Sequence, residues 1–447
     1  MHRRTSPLVP SHGGMSRRGF LTVTASGLLL AGCGGGKGVG DSSKAGVGGF
    51  TGAEYDGPQL TLSYWNGFTG GDGPAMQAMV KQFTSSHDKI GIKNNTIEWT
   101  DFYQRLPAAT QAGKGPDVGA MHLDQLATNA ARSVIVPLDD LAKALELSSS
   151  DFAAPVWDPG IYQGKRYGIP LDVHTIAMYY NKDHFQKAGI SDAPTDAASL
   201  DDACKKLQAA GIQHPFWMPN QWPAHLMFLS LLWQFGGQPY AEDGSEATYD
   251  DEAGNKALSW MREQVDKGYS PKAVDIDSQY AAFKNGKNSI TWDGIWQIND
   301  LEAAGTNYGI ATLPVIGDEL AAWANSHNFF MTKQAADDTN RANAAKTFIG
   351  WMSDQSSAWS KAGMIPARNS ARKEGAFTGS VQHGILDQVD HLHFLPPVPG
   401  LGDVQPKTLE VAVNTAVLGK QSPEASLSKA ASNATELMKQ NQQKFGA

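Results

Sequence analysis

The sequence contains little cysteine, no apolar segment long enough to span a membrane, and no excess of basic residues. Cys33 and Cys204 are the only cysteines in 447 residues, which excludes a fold built on a framework of disulfides. The apolar run at residues 20–30 is too short to cross a bilayer. A formal net charge of −8, without a basic stripe, argues against electrostatic binding to nucleic acid or anionic lipid.

Signatures of catalysis and metal binding are also scarce. Neither G-x-S-x-G nor H-E-x-x-H occurs, so the common hydrolase motifs are missing. His391 and His393 lie close to Asp387 and Asp390, but an H-x-H pair on one segment lacks the distributed ligands of zinc sites. Cys204 falls on the apolar face of a predicted helix, which favours a buried packing residue over a nucleophile. We therefore expect no catalytic residue, no metal and no cofactor.

Two short motifs occur near the N-terminus. Residues 16–21, SRRGFL, match a twin-arginine export signal, and residues 30–33, LAGC, match a bacterial lipobox. In a lipobox, small residues allow a signal peptidase to cut before a cysteine whose thiol carries a diacylglycerol. The motifs predict a removed signal peptide at 1–32, lipidation at Cys33, and anchoring to the extracytoplasmic face of the cell membrane. Removal of the peptide deletes four arginines and no acid, which takes the net charge from −8 to −12.

The segment after the lipobox differs in composition from the rest of the chain. Residues 33–57 are rich in glycine and hold almost no large apolar side chain, which predicts a flexible tether. The folded part is expected to begin near residue 58. About 390 residues then remain, which is enough for two lobes because a single core stops growing at roughly 250 to 300 residues.

Alternating strand and helix patterns predict an α/β fold with a mostly parallel sheet. The predicted strands lie at 60–64, 97–99, 117–121, 289–292 and 309–313. The predicted helices begin near 76 and after 101 and 124, and later helices are predicted at 200–210, 223–235, 255–267, 340–352 and 423–444.

In open α/β sheets, ligands bind at the carboxyl ends of the strands. That rule selects Trp65, Asn66, Asp124, Asp172, His174, Trp292, Asp293 and Trp296 as candidate ligand contacts. Their chemistry suits a sugar, because the apolar faces of a pyranose pack on aromatic rings and its hydroxyls pair with carboxylate, amide and imidazole groups. Other interpretations stay open: the tryptophans can belong to a core, Asp124 can cap a helix, and Asp172 and His174 can make structural hydrogen bonds.

Four blocks of sequence follow one another in a family-specific order. They are GPDV at 115–118, GKRYGIP at 164–170, YYNKD at 179–183 and GIW at 294–296. Together with the lipobox, they resemble the family 1 extracellular solute-binding proteins, the carbohydrate-binding group that includes maltose-binding protein, along residues 58–447. The resemblance implies a monomer that captures a sugar or sugar derivative and delivers it to the permease and ATPase subunits of an ABC importer. It also implies that the protein does no chemistry on the solute.

The resemblance further implies a two-lobed periplasmic-binding-protein fold with discontinuous lobes and a hinge that closes around the solute. Lobe one would hold residues 58–173 and 328–386, and lobe two would hold residues 174–327 and 387–447. The chain would then cross between the lobes near His174, His327 and Leu386.

Alignment with the binding loops of the family adds four candidate ligand contacts, which are Trp222, Trp323, Asn325 and Arg368. The sequence departs from maltose-binding protein at two positions, where Met121 replaces a cleft tryptophan and His174 replaces a glutamate. Those departures argue against maltose itself. Four aspartates, at 72, 124, 172 and 293, are compatible with a sugar that carries a cationic amine, and a neutral oligosaccharide stays equally open.

Two other functions fit parts of the pattern. A transport protein for a glycerophosphodiester would use Arg368 as the partner of the phosphate. A secreted glycoside hydrolase, from a different class, would also combine aromatic platforms with paired carboxylates across a cleft. The lipobox and the family blocks argue against the hydrolase.

Overall fold

Two β-sheets organise the structure, a computed structural model that describes residues 54–445. The strands are β1 (Leu60–Asn66), β2 (Ile90–Thr96), β3 (Val118–His122), β4 (Ile161–Tyr162), β5 (Lys165–Arg166), β6 (Ile169–Pro170), β7 (Asp172–Asn181), β8 (Ile290–Gly294), β9 (Tyr308–Ala311), β10 (Ala322–Asn325), β11 (His327–Met331), β12 (Ile365–Pro366) and β13 (Leu392–His393). The helices are α1 (Gly73–Ser86), α2 (Trp99–Gln111), α3 (Leu123–Ala131), α4 (Asp139–Ala144), α5 (Ala154–Trp157), α6 (Lys182–Ala188), α7 (Ala197–Ala209), α8 (Ala224–Gln234), α9 (Glu252–Asp266), α10 (Ser278–Lys284), α11 (Ile298–Ala303), α12 (Lys333–Ala336), α13 (Thr339–Asp354), α14 (Ser356–Trp359), α15 (Gly375–Thr378), α16 (Leu401–Val404), α17 (Leu409–Val417) and α18 (Pro423–Phe445). The predicted signal peptide, Cys33 and most of the predicted tether lie outside the described residues.

The first sheet has the strand order β2, β1, β3, β11, β6. β1 pairs in parallel with β2 and β3, because α1 and α2 each carry the chain back to the same edge before the next strand begins. β11 runs antiparallel to β3 and β6. α1 covers one face of this sheet with Met76 and Phe83, and α2 and α3 cover the other face with Phe102 and Leu126.

The second sheet is built around β7, which pairs antiparallel with β8, β9, β10 and β12. Helices α8, α9, α17 and α18 supply a large core against it. α8 is buried along its whole length, which explains why its sequence is apolar on every face. Cys204 of α7 lies in the same core, where burial raises the pKa of its thiol to about 12. The prediction that Cys204 is a packing residue is confirmed.

Most of the predicted elements are confirmed, including the α/β class and the later helices that correspond to α7, α8, α9, α13 and α18. The strand predicted at 97–99 is wrong, because β2 ends at Thr96 and Trp99 begins α2. The carboxylate of Glu98 accepts hydrogen bonds from the backbone N–H groups of Thr100 (2.9 Å) and Asp101 (3.3 Å) and so caps the helix. The apolar residues on either side of Glu98 imitate the alternation of a strand. Within residues 54–445, no helix combines the length and the apolar character needed to cross a membrane.

The chain passes directly from one sheet to the other at two places. Leu171 connects β6 of the first sheet to β7 of the second, and Ser326 connects β10 of the second sheet to β11 of the first. β12 lies beside the start of β7, where Pro366 is opposite Asp172. These one-residue connections bring the ends of β7, β10 and β11 together.

Candidate ligand-binding site

Four polar residues meet where the chain passes between the sheets. His122, the last residue of β3, stands directly opposite His327, the first residue of β11. His174 of β7 stands directly opposite Asn325 of β10. Residues opposed in an antiparallel pair project to the same face, so strand register alone places two pairs of polar side chains at this junction.

The carboxylate of Asp172 ties the junction together and is completely buried. Its Oδ2 accepts hydrogen bonds from Trp359 Nε1 (2.6 Å) and His327 Nδ1 (2.8 Å). Its Oδ1 accepts from the backbone N–H of His327 (2.9 Å) and from His174 Nδ1 (3.2 Å). Burial alone would raise the pKa of Asp172, but the charge of His327 and the hydrogen bonds from both imidazoles hold it well below its usual range. Asp172 therefore stays ionised and fixes the start of β7 to the start of β11.

Three imidazole rings pack against one another beside this carboxylate. His174 and His327 are stacked with 4.2 Å between ring centroids, and the ring of His122 lies 4.9 Å from His327 and 5.4 Å from His174. The hydroxyl of Tyr103 lies 2.6 Å from His122 Nδ1. Burial, followed by the charge of His327, lowers the pKa of His174 to about 4 and lowers the pKa of His122 well below its usual value. Both rings are therefore neutral near pH 7.

Three tryptophans form a row that leads outward from His174, and we call Trp323, Trp296 and Trp222 the aromatic row. Trp323 lies 5.8 Å from His174, Trp296 lies 6.4 Å from Trp323, and Trp222 lies 6.2 Å from Trp296, measured between ring centroids. Exposure increases along the row from 5% at Trp323 to 39% at Trp222. Its outer members, Trp296 and Trp222, thus offer aromatic surface of the kind that packs against pyranose rings.

Two carboxylates beside the junction carry an oxygen that is not satisfied. Asp124 in the first turn of α3 and Asp72 at the start of α1 each have a buried Oδ1 with no hydrogen-bond partner among residues 54–445. Burial raises the pKa of each to about 6. Asn325, whose amide faces Asp124, is itself 5% exposed. Such acceptors can pair with hydroxyl donors of a ligand, which would recover the free energy lost by leaving them unpaired.

Several residues of this site were missed by the sequence analysis. Trp99, which falls in the wrongly predicted strand at 97–99, stacks at 5.5 Å on His327 and lies 4.4 Å from His122. Phe68 packs at 4.7 Å against His327. His122 directly follows the strand predicted at 117–121. The rule that ligands bind at the carboxyl ends of strands therefore also selects His122.

The structure places Trp292 in a packed core and Trp65 against a helix. Trp292 is completely buried in the core of the second sheet, where it stacks on Trp260 at 5.5 Å and packs against Phe216. Trp65 packs edge-on against Phe102 of α2 at 6.4 Å. The prediction that Trp292 lines a cleft is therefore corrected to a packing role, because its strand turns that side chain toward the helices.

Two further predicted contacts, Asn66 and Asp293, form hydrogen bonds within the protein. The amide of Asn66 donates to Asn94 Oδ1 (2.7 Å) and so joins β1 to β2. Asp293 accepts from Gln279 Nε2 (3.0 Å), and burial raises its pKa to about 7.

Arg368, another predicted ligand contact, forms hydrogen bonds within the protein. Its Nη2 donates to Ser353 Oγ (2.8 Å) and to Asp354 Oδ1 (3.3 Å), which braces the loop after β12 against the end of α13.

Comparison with solved structures and known sequences defines the class of protein. The GacH receptor of Streptomyces glaucescens, solved unliganded and with acarbose, superimposes with a TM-score of 0.75 at 22% identity, covering 86% of this chain and 98% of that one. The fold is thus the two-lobed α/β fold of periplasmic binding proteins. Residues 78–383 match the family described as bacterial extracellular solute-binding protein, and this chain belongs to that family.

Two relatives illustrate the range of the family. A maltooligosaccharide ABC transporter solute-binding lipoprotein of Streptococcus pneumoniae is 24% identical over 447 residues, covering 95% of this chain and 97% of the relative. The sn-glycerol-3-phosphate-binding periplasmic protein of Shigella flexneri is 25% identical over 289 residues, covering 60% of this chain and 64% of the relative.

The placement of Trp292 predicts a contrast in stability between two tryptophans. Trp292→Ala should lower the free energy of unfolding of the ligand-free protein by about 3–5 kcal/mol, because it opens a cavity in a packed core. Trp222→Ala should lower it by less than about 1 kcal/mol, because that side chain is 39% exposed. Urea denaturation measures both values. Equal losses would contradict the assignment of Trp292 to the core.

The buried carboxyl of Asp293 predicts a dependence of stability on pH. Its folded pKa of about 7 lies above the ordinary value, so the unfolded chain releases the proton at lower pH than the native chain does. Stability is therefore lost as pH rises from about 4 to 7. Asp293→Asn cannot ionise, so it should avoid this loss. The free energy of unfolding of the variant minus that of the wild type should therefore be larger at pH 8 than at pH 4.5, by on the order of 2–3 kcal/mol. Urea melts at both pH values test this, and a pH-independent difference would contradict it.

Proposed function

We propose that this protein captures a sugar or sugar derivative outside the cytoplasmic membrane and delivers it to an ABC importer. One observation carries the proposal: the aromatic row lies beside two carboxylates with unpartnered buried oxygens, at the junction of the two sheets. Family membership supports the transport role, and the pneumococcal relative is named as a maltooligosaccharide ABC transporter solute-binding lipoprotein.

An oligosaccharide is the ligand that the aromatic row favours. Trp296 and the exposed Trp222, whose ring centroids are 6.2 Å apart, provide adjoining aromatic surfaces that can serve successive pyranose rings. Asp124 and Asp72, at the starts of α3 and α1, can accept hydrogen bonds from the hydroxyls of a sugar. An amino sugar would use the same two carboxylates as partners for its ammonium group.

The two proposed lobes are each discontinuous in sequence. Lobe one would comprise residues 58–173 and 328–386, and lobe two residues 174–327 and 387–447, with the chain crossing between them near His174, His327 and Leu386. The direct connections at Leu171 and Ser326 lie beside the first two of these crossings. Contacts between the proposed lobes support an arrangement that closes around a solute. Arg132 pairs with Asp403 at 2.7 Å, Thr128 Oγ1 accepts from the backbone N–H of Gly400 at 2.8 Å, and Asn299 Nδ2 donates to the carbonyl of Gly71 at 3.2 Å.

The role we propose is binding without chemistry on the solute. The family and the structural neighbours are binding proteins, in contrast to the glycoside hydrolase alternative. The glycerophosphodiester alternative keeps the transport role and has a relative named for sn-glycerol 3-phosphate. Its expected phosphate partner, Arg368, already donates to Ser353 and Asp354, and this placement favours a sugar.

We expect stacking on the aromatic row to contribute much of the affinity for the ligand. A thermal-shift panel of oligosaccharides, amino sugars and glycerophosphodiesters first identifies a ligand that raises the melting temperature, and recovery of that ligand unchanged distinguishes binding from hydrolysis. Trp296→Ala should then weaken calorimetric affinity by about 2 kcal/mol, because it removes a stacking face.

Trp260→Ala is the matched control, since Trp260 stacks on Trp292 in the core. It should lower the melting temperature of the ligand-free protein while leaving affinity nearly unchanged. If Trp296→Ala instead keeps full affinity and melts much earlier than the wild type, Trp296 is a packing residue.

Anchoring is proposed to depend on Cys33. We expect the full chain to be exported by the twin-arginine route, cut before Cys33 and held at the membrane by lipid, as a monomer that meets the permease and ATPase subunits there. Cys33→Ala should leave the protein unprocessed or release it from the membrane fraction, because the thiol that carries the lipid is gone. Immunoblots of fractionated cells test this. Unchanged processing and fractionation would contradict lipid anchoring.

A further inference from the structure

Three histidines converge at the junction of the sheets in a way that the proposed sugar site does not require. His122, His174 and His327 come from three different strands, and one ring nitrogen from each lies within 4.8 Å of the other two. Ligands that are distant in sequence and convergent in space are typical of metal sites in folded proteins. The H-x-H pair at 391 and 393 lacks this property.

Hydrogen bonds occupy the same nitrogen, Nδ1, on all three rings. Asp172 pairs with Nδ1 of His174 (3.2 Å) and of His327 (2.8 Å), and Tyr103 pairs with Nδ1 of His122 (2.6 Å). A carboxylate that accepts from Nδ1–H fixes the imidazole tautomer with its lone pair on Nε2 and increases the basicity of that nitrogen. The single carboxylate of Asp172 therefore orients two histidine rings so that the Nε2 of each can bind a metal ion.

Tyr103 can prepare the third histidine in the same way. Its hydroxyl oxygen already accepts the backbone N–H of His122 at 3.0 Å, and a hydroxyl oxygen has a second lone pair for the Nδ1–H of the ring. In that tautomer, the lone pair of His122 is on Nε2.

The Nε2 atom of His174 is the observation that points to a bound ligand. His174 is 1% exposed, and its Nε2 has no hydrogen-bond partner among residues 54–445. An unpaired polar nitrogen in a buried position destabilises the folded chain, because it has lost its hydrogen bond to water. Packing of aromatic rings alone would leave that cost in place, whereas a metal ion would remove it.

The geometry fits zinc after a small movement. Zn–N bonds of about 2.0–2.1 Å at tetrahedral angles place the ligand nitrogens about 3.3 Å apart. The widest pair of nitrogens lies no more than 4.8 Å apart, so it would approach by about 1.5 Å or less. His122 is only half-buried, which leaves its ring free to make this adjustment.

The donor set selects the class of ion. Imidazole nitrogens suit Zn²⁺ and related transition metals, whereas Ca²⁺ and Mg²⁺ require oxygen ligands. The carboxylate of Asp172, which is hydrogen-bonded to two of the rings, offsets part of the charge of a divalent cation. Three protein ligands leave the fourth tetrahedral position open.

We infer that His122, His174 and His327 form a three-histidine site for Zn²⁺, with Asp172 and Tyr103 as positioning residues that orient the rings. The site joins β3 and β11 of the first sheet to β7 of the second, so the ion would connect the two sheets. This inference does not depend on the identity of the sugar.

Calorimetric titration of the chelator-treated full chain with Zn²⁺ alone tests the inference. We expect one Zn²⁺ per chain, and an affinity that falls by about 10- to 100-fold in Asp172→Asn and in Tyr103→Phe, because the positioning hydrogen bonds are lost. His122→Gln, at the half-buried position where the fold tolerates change best, should fall further. His214→Gln, in the loop between α7 and α8, is the control and should bind as the wild type does. Melting curves with and without Zn²⁺ verify that each variant is folded.

Three outcomes would overturn the inference. They are absence of stoichiometric binding by the wild type, unchanged affinity in folded His122→Gln, and loss of binding in a His391→Gln, His393→Gln double variant with retention in His122→Gln. Sugar affinity measured in excess chelator separates the two proposals. Sugar binding without Zn²⁺ binding overturns only the proposed metal site. Zn²⁺ binding without sugar binding overturns only the proposal that the transported solute is a sugar.

Discussion

The buried carboxylate of Asp172 is the constraint on which the rest of the junction depends. An ionised group without solvent is stable only when its oxygens are paired, and four donors from Trp359, His174 and His327 supply those pairs. Two of the four come from β11, one from β7 and one from α14. The hydrogen bonds that pair the charge of Asp172 therefore connect β7 and β11, which belong to different sheets.

That arrangement links the ligand-binding surface to the passage of the chain between the sheets. Trp323 packs near His174, whose Nδ1 is held by Asp172, and the rest of the aromatic row extends outward from Trp323. In the function we propose, a solute that stacked on Trp296 and paired with Asp124 would contact both sides of the junction. A closed form would then gain contacts that an open form lacks, so binding would shift the population toward closure.

The sequence predicted the elements of the fold better than the contacts of the site. Helices such as α8 and α9 follow from local apolar patterns, and Trp296, Asp172 and His174 follow from the strand-end rule. Trp292 and Trp296 both lie near the end of β8, but which of them faces the core depends on the helices packed against that sheet. The pairing of His122 with His327 joins positions more than 200 residues apart through strand register, which no local pattern specifies.

We propose that a carbohydrate binds between the two lobes and closes them. Small-angle X-ray scattering of the full chain, with and without a saturating oligosaccharide from the thermal-shift panel, measures this closure. We expect a smaller radius of gyration in the presence of the ligand, with a midpoint that matches the calorimetric affinity. A saturable binding isotherm with an unchanged radius of gyration would contradict it.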